Sequence, residues 1–461
     1  MTELLPLIGG RSADDVLAWR AQGPVTVGQY LGDVQALAAW LPAGRWVINL
    51  CEDRYHFAVL LGACAITGRV SLQPSSQSLE TLQQLARAHV GAYVLSDVLG
   101  DAPGADVPGL PAHAWPPLAG LPHAAHVGVV PPGIPADRVV AILFTSGSTG
   151  RPQPHAKTWG RLVANGRAEA EALGLAGQPH VLVGTVPAQH SYGFESTFLL
   201  ALHGGCAFWA GKPFYPQDLA EALAAVPRPR LVVTTPYHLS SVMASDVVLP
   251  PVDRWLSATA PLSEALARRV EAATGAPVHE IYGSTESSQL ATRRTTEGAT
   301  WTLMPGVRLE QEGDTTYAVD GHVEGRVALS DIIGLQPQPG RFVLHGRHAD
   351  MVNLAGKRTS LAYLNHQLCS IEGVREGAFF LPQEDSESRV VRLVAFAVVA
   401  PGRSHADLVV ALRRCVDPIF LPRPLVLVPA LPRNHTGKIT RDSLEALYAE
   451  HIAGQGGRDA G

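Results

Sequence analysis

The residues most able to handle phosphate stand where an apolar run ends. Val139-Val-Ala-Ile-Leu-Phe144 leads into Thr145-Ser146-Gly147-Ser148-Thr149-Gly150-Arg151-Pro152. Glycines let backbone N–H groups approach an anion closely, and hydroxyls add donors without bulk. Such a loop could cradle a polyphosphate. It is not a Walker A loop, because no Gly-Lys-Ser/Thr closes it at the required spacing. Taken alone, a Ser/Thr/Gly cluster after a strand is more often a plain surface turn. Lysine usage adds a second pointer: the residue occurs only at positions 157, 212, 357 and 438, and arginine supplies the other cations. A lysine is a compact point charge and an arginine a planar fork, so these four are candidates for positions that need the former.

Further segments follow in order. They are Ala258-Thr-Ala260-Pro261-Leu262, Ile281-Tyr282-Gly283-Ser284-Thr285-Glu286, Leu329-Ser330-Asp331, Gly346-Arg347-His-Ala349-Asp350-Met-Val-Asn-Leu-Ala-Gly356-Lys357-Arg358, and Pro432-Arg-Asn-His-Thr-Gly-Lys438-Ile-Thr-Arg441. With the 145–152 loop, this ordered set resembles the motifs of the adenylate-forming superfamily, which includes acetyl-CoA synthetases and 4-coumarate:CoA ligases.

The resemblance implies a carboxylic acid activated by ATP to an acyl-AMP and handed to a thiol. It implies that Thr145, Ser146, Gly147, Ser148, Thr149 and Gly150 cradle phosphate and that Ala260 and Pro261 border adenine. Tyr282 would stack on adenine beside Gly283, Thr285 would contact the α-phosphate, and Glu286 would help hold Mg²⁺. Asp331 would accept from the ribose hydroxyls, with Arg347 assisting. Lys438 would bridge the α-phosphate and the substrate carboxylate. Ala349 and Asp350 fall at the hinge, and Gly356, Lys357 and Arg358 on a loop that lines a thiol tunnel after the small domain rotates. The acceptor would be the pantetheine thiol of CoA or of a holo acyl carrier protein. Each residue also has an ordinary structural alternative: Asp331 as a turn cap, Glu286 as a helix-start carboxylate, Lys438 as a solvated charge.

The chemistry explains these residue types. A carboxylate attacking the α-phosphorus of ATP brings negative charges together, so the site needs fixed donors, a divalent cation and a movable positive charge. The chain departs from the family at Gln153, where many relatives carry lysine; Lys157 or His155 is the candidate for the missing charge. Pro187-Ala-Gln-His190-Ser-Tyr192-Gly193-Phe194 resembles the acid pocket of aryl and fatty acid activators, with His190 at the carboxyl entrance. Tyr192 and Phe194 read equally as plain core packing. No cation awaits a second carboxylate and no acidic residue awaits an amino group, which favours a simple aryl or unsaturated acid. A non-catalytic nucleotide-binding relative and an oxidative, luciferase-like enzyme are rival readings; retention of Glu286 and Lys438 opposes the first.

The elements that position these residues read as α/β. Thr26 caps a helix over 27–40, a strand follows at 46–50, helices at 55–66 and 78–89, and a strand at 92–95, as in a parallel sheet flanked by helices. Residues 101–135 are rich in Pro, Gly and Ala and read as a connector. Strands recur at 181–185, 230–234 and 278–281, with helices at 160–173 and 261–273. The 301–345 stretch is turn-rich and β-like, and 361–428 forms its own α+β pattern. We therefore expect a large N-terminal adenylation domain over 1–346, made of mixed sheets with a β-rich subdomain, a hinge at 347–350, and a small mobile α+β lid over 351–461. The tail after Leu447 reads as disordered. A net charge of -5 opposes a nucleic-acid partner. No apolar run is long enough to span a bilayer, and the N-terminus has no secretory pattern, so we place the protein in the cytoplasm. Five scattered cysteines without a Cys-x-x-Cys pair suit reduced thiols.

Overall fold

The computed structural model describes residues 2–74, 76–98, 107–118, 133–146, 152–175, 177–347, 351–354, 357–382, 392–433 and 439–456. Two compact units make up the chain, one formed by Met1–Glu310, Tyr317–Ala328 and Gln338–Arg341, the other by Gln311–Thr316, Leu329–Pro337 and Phe342–Gly461.

The first unit holds two large sheets. One has the spatial order Pro152–Thr158, Val139–Ser146, Val70–Gln73, Trp46–Asn49, Tyr93–Ser96 and Ala112–Ala114. Its strands are parallel apart from the antiparallel edge strand Pro152–Thr158. The other sheet runs from Trp301–Leu303 through Ser288–Arg294, Val278–Ser284, Arg254–Ser257, Arg230–Thr234, Val181–Gly184, Ala207–Trp209 and Val16–Arg20 to Gly23–Thr26. Its centre is parallel, and both ends fold back as antiparallel hairpins. Central strands buried on both faces are apolar runs, as in Leu231, Val232 and Val233, which have no exposed surface.

Helices begin where short polar side chains satisfy free N–H groups. Thr26 and Gln29 form a reciprocal capping box on Val27–Trp40, Asp53 caps Arg54–Thr67, and Ser78 caps Leu79–Ala88. Each such cap stabilises its helix by about 1 kcal/mol. The helix expected over 261–273 instead spans Glu264–Thr274, because Ser263 is its cap and Pro261 stays in the preceding turn.

In the second unit, Val374–Phe380 pairs antiparallel and Leu425–Leu427 parallel with Val394–Val399. The two-residue period of the strands divides the core cleanly. Phe379, Ala395 and Ala397 face the helices Leu361–Cys369 and His405–Cys415. Ala378, Phe380, Val394 and Phe396 face Leu444, with Leu447 and Tyr448 packed against them. These last two belong to the helix Arg441–Gly456. That helix corrects the expectation of a disordered tail for residues 448–456, because Leu444, Leu447 and Tyr448 cover one face of the sheet; the call on 457–461 lies outside the described residues. Among the described residues no helix is long and apolar enough to cross a membrane.

Candidate active site

Thr285 and Glu286 lie in a tight turn, residues 285–287, that joins the antiparallel strands Val278–Ser284 and Ser288–Arg294. Ser284 and Ser287 lock the turn reciprocally, each backbone N–H donating to the other's Oγ at 3.2 Å. Gly283 is required by close approach: a Cβ there would stand 2.3 Å from the carbonyl oxygen of Ser288. Ser288 itself adopts φ 60°, a left-handed conformation that disfavours a side chain. The Glu286 side chain is 43% exposed. Tyr282 is half-buried beside Trp301, with ring centres 5.7 Å apart.

The phosphate-loop motif also lies within a hairpin. Val139–Ser146 and Pro152–Thr158 pair antiparallel with Ser146 opposite Pro152, so Thr145 and Ser146 end the first strand. Gly147, Ser148, Thr149 and Gly150 lie outside the described residues. His155 on the return strand meets both motifs: its Nε2 is 3.0 Å from Thr145 Oγ1 and 3.6 Å from Glu286 Oε1. Burial lowers the His155 pKa, the Glu286 charge opposes this, and the Lys157 charge adds to the lowering. A bound polyphosphate would favour the imidazolium.

Lys157 requires a correction. Its side chain is 1% exposed and its Nζ donates to Ser288 Oγ at 2.7 Å, so it points into the protein and does not replace the phosphate-loop lysine. Around it is a buried polar cluster. Glu195 accepts from Ser191 Oγ at 3.1 Å, Gln289 Nε2 donates to Ser196 Oγ at 2.6 Å, and His322 hydrogen bonds to the Gln289 carbonyl. Glu195 and Ser196 are held inward by the π-helical turn Phe194–Leu199. Burial raises the Glu195 carboxyl to about 7, against the pull of the Lys157 charge. Burial raises Glu169 to about 8, with Ser196 drawing it back. A carboxyl raised in the fold keeps its proton when the unfolded chain has lost it, so its stabilising effect is full below the unfolded value of 4.5 and disappears as pH rises through about 8. Glu169→Gln should therefore match the wild type in Tm near pH 5 and exceed it near pH 9 by several degrees, on the order of 2 kcal/mol. Melting curves at the two pH values check this.

The segment carrying Ala260 and Pro261 follows the strand Arg254–Ser257. Thr259 takes φ 78°, Ala260 is half-buried and Pro261 exposed. Glu280, on the strand leading to Tyr282, accepts from Leu262 N at 3.1 Å and so ties this turn to the Thr285–Glu286 hairpin.

His190 caps the short helix Ser191–Gly193, its Nδ1 accepting from Tyr192 N at 3.3 Å. Tyr192 is buried and its hydroxyl donates to the Leu256 carbonyl at 2.8 Å. A Cβ on Gly193 would stand 2.0 Å from the Pro187 carbonyl oxygen, which excludes any other residue. Phe194 is fully buried, with its ring 6.2 Å from Phe57 and 5.9 Å from Phe198. Its assignment to an open acid pocket is corrected in favour of core packing. His190 is half-buried.

In the second unit, Asp331 stands opposite Arg347 in the strand pairing, which brings the two ribose candidates to one position. Lys357 and Arg358 pair in backbone register with Leu354 and Asn353. Ala349, Asp350, Gly356 and Lys438 lie outside the described residues.

Residues 11–331 match the AMP-binding enzyme family. The chain belongs to that family. It is an AMP-forming acid–thiol ligase of the adenylate-forming superfamily. The ligase is 31% identical to a 4-coumarate–CoA ligase of Rhodobacter capsulatus, over 65% of this chain and 74% of that one. It is 25% identical to an L-proline–[L-prolyl-carrier protein] ligase of Streptomyces coelicolor, over 91% and 92% of the two chains. Its fold matches the crystal structure of ATP-bound MatB from Rhodopseudomonas palustris with a TM-score of 0.81 at 19% identity, covering 95% and 97%.

Among the described residues of the ligase, no group of three or more His, Cys, Asp or Glu could enclose a metal. Magnesium is commonly held by one or two carboxylates together with substrate phosphates. Glu286 is the carboxylate that would hold it. Sequence reasoning passed over Ser288, Glu195, Glu169 and Glu280. The available signal was the run Ser284-Thr-Glu-Ser-Ser288, where four hydroxyl side chains flank one acid in a turn.

Proposed function

We propose that the ligase activates an aryl or unsaturated carboxylic acid and transfers it to a pantetheine thiol, with a holo acyl carrier protein slightly favoured as acceptor. The observation that carries the adenylation reading is the approach of Thr145, His155 and Glu286 across two hairpins. It joins a phosphate-loop hydroxyl, a titratable imidazole and a half-exposed carboxylate. In the first step the acid's carboxylate oxygen bonds to the α-phosphorus and the bond to pyrophosphate breaks. Thr145 and the loop after it bind and orient the phosphates, Thr285 donates to the α-phosphate, and Lys438 offsets the charge gathered there. Glu286 would hold magnesium, which would supply further charge neutralisation. In the second step the thiol sulfur bonds to the acyl carbon and AMP departs. The pivot at Ala349 and Asp350 exchanges Lys438 for the loop at Gly356, Lys357 and Arg358 between these steps.

The aryl acid is supported by the 4-coumarate ligase relative and by the absence of a charged partner for a second substrate group in the His190 segment. The carrier protein is supported by the prolyl-carrier ligase, whose match runs along 91% of the chain. Free CoA is the alternative acceptor, favoured by the higher identity of the coumarate enzyme. We place this chemistry in the cytoplasm, where ATP and both thiols are found.

Acid-dependent ATP–pyrophosphate exchange with magnesium, over benzoic, cinnamic, medium-chain fatty and amino acids, tests the reading. Exchange should be strongest with an aryl or unsaturated acid, and transfer to holo-carrier protein should exceed transfer to CoA. An absence of exchange with every acid would overturn it.

A further inference from the structure

The Lys157 ammonium lies beneath the turn that carries Thr285 and Glu286. It donates at 2.7 Å to Ser288 Oγ, and Ser288 is the first residue after that turn, paired directly with Ser284 across it. Lys157 is 1% and Ser288 4% exposed. Two residues back on the same strand, and so on the same face of it, His155 lies 3.6 Å from Glu286. A strand fixed in its sheet therefore touches the hairpin twice, through a buried charge at its base and an imidazole near its tip.

Two features argue that this contact is more than filling. Ser288 adopts φ 60°, a conformation that glycine would enter without strain, yet the position keeps a side chain whose hydroxyl accepts from lysine. A buried ammonium is also expensive to desolvate, and an apolar side chain would pack the same space more cheaply. The Glu195 and Glu324 carboxylates offset part of that charge. Glu324 also accepts from Thr158 N and Oγ1, both at 2.7 Å, which fixes the end of the Lys157 strand.

We propose that Lys157 and Ser288 form a buried strut that holds the Thr285–Glu286 turn in the geometry receiving magnesium–ATP, making both of them positioning residues for nucleotide binding. Neither touches the nucleotide. The inference rests on the reading of Thr285 and Glu286 as nucleotide and magnesium ligands.

Ser288→Gly separates this role from a merely structural one, because it relieves the left-handed backbone while removing the hydroxyl. Three measurements decide: the Tm, magnesium–ATP affinity by calorimetry without acid, and the KM and kcat of pyrophosphate exchange. We expect a Tm within a few degrees of the wild type, since relief of the left-handed backbone offsets part of the lost acceptor, with magnesium–ATP affinity weakened about tenfold and KM for ATP raised by more than kcat falls. Lys157→Met, which keeps the volume and removes the charge, should weaken magnesium–ATP by a similar factor. A folded Ser288→Gly that binds magnesium–ATP within about twofold of the wild type would overturn the strut. Loss of fold in both variants would mark the pair as structural only and overturn it as well. Wild-type enzyme that binds ATP yet exchanges no pyrophosphate with any acid would instead sink the adenylation reading, so the two failures are distinguishable.

Discussion

Lys438→Ala should lower acid-dependent pyrophosphate exchange by about 10²–10³-fold while leaving transfer from preformed acyl-AMP within a few-fold of the wild type. The magnitude is that of removing one preorganised charge from a developing anionic transition state. The asymmetry follows from the two reactions. Adenylation brings a carboxylate onto an α-phosphate that still carries the β- and γ-phosphates on its leaving side, so a positive charge between carboxylate and α-phosphate acts at the transition state. Thioester formation attacks an acyl carbon and releases AMP, with no such crowding. Lys157, the lysine with a described side chain that lies next to the Thr285–Glu286 hairpin, is buried and hydrogen bonded to Ser288. Measuring both half-reactions on one preparation decides. Equal loss in each would show that Lys438 serves the fold or both steps, and would contradict its assigned role.

The parts of the fold legible in the sequence are those where local chemistry and packing agree. Thr26 precedes an apolar helix and caps it, and the helices expected at 55–66 and 78–89 form behind caps at Asp53 and Ser78. The apolar runs at 46–49, 181–184 and 230–234 are central strands because both faces of the sheet are covered. The return strand Pro152–Thr158 was not legible. It contains Pro152 and Pro154, which read as a loop, and proline is accepted there because the strand lies at the sheet's edge. Hence Lys157 stood as a candidate for the missing phosphate-loop charge, when it is a strand residue turned inward. Ser288 was hidden for a related reason. Its left-handed conformation is the property of a three-residue hairpin loop, and nothing in the residue type serine announces it. Phe194 is a third case: an aromatic beside Gly193 fits a pocket wall and a core equally well until Phe57, distant in sequence, is seen to close around it together with Phe198 of the same helical turn.

Glu280 carries the second large expectation. The residue is 3% exposed and its carboxylate gathers Leu262 N at 3.1 Å, Arg293 Nε at 2.7 Å and Thr295 Oγ1 at 2.7 Å. Arg293 in turn lies over the Trp301 ring, 4.5 Å from its centre, and Trp301 packs beside Tyr282. One buried carboxylate thus joins the 258–262 turn to the tyrosine expected to stack on adenine. Glu280→Ala removes the acceptor of three donors and leaves the Arg293 guanidinium with its buried partner gone, a loss of about 3–5 kcal/mol. Tm should fall by roughly 6–15 °C, and at temperatures where the variant is folded its affinity for ATP should drop as well. Adding Arg293→Met removes the orphaned charge and should restore part of the stability, because it replaces an unpaired ion with an apolar side chain. It cannot restore the acceptor for Leu262 N or the cation over Trp301, so ATP affinity should stay low in the double variant. Recovery of both together would mean that Glu280 serves the fold alone and that the adenine turn holds its shape without it.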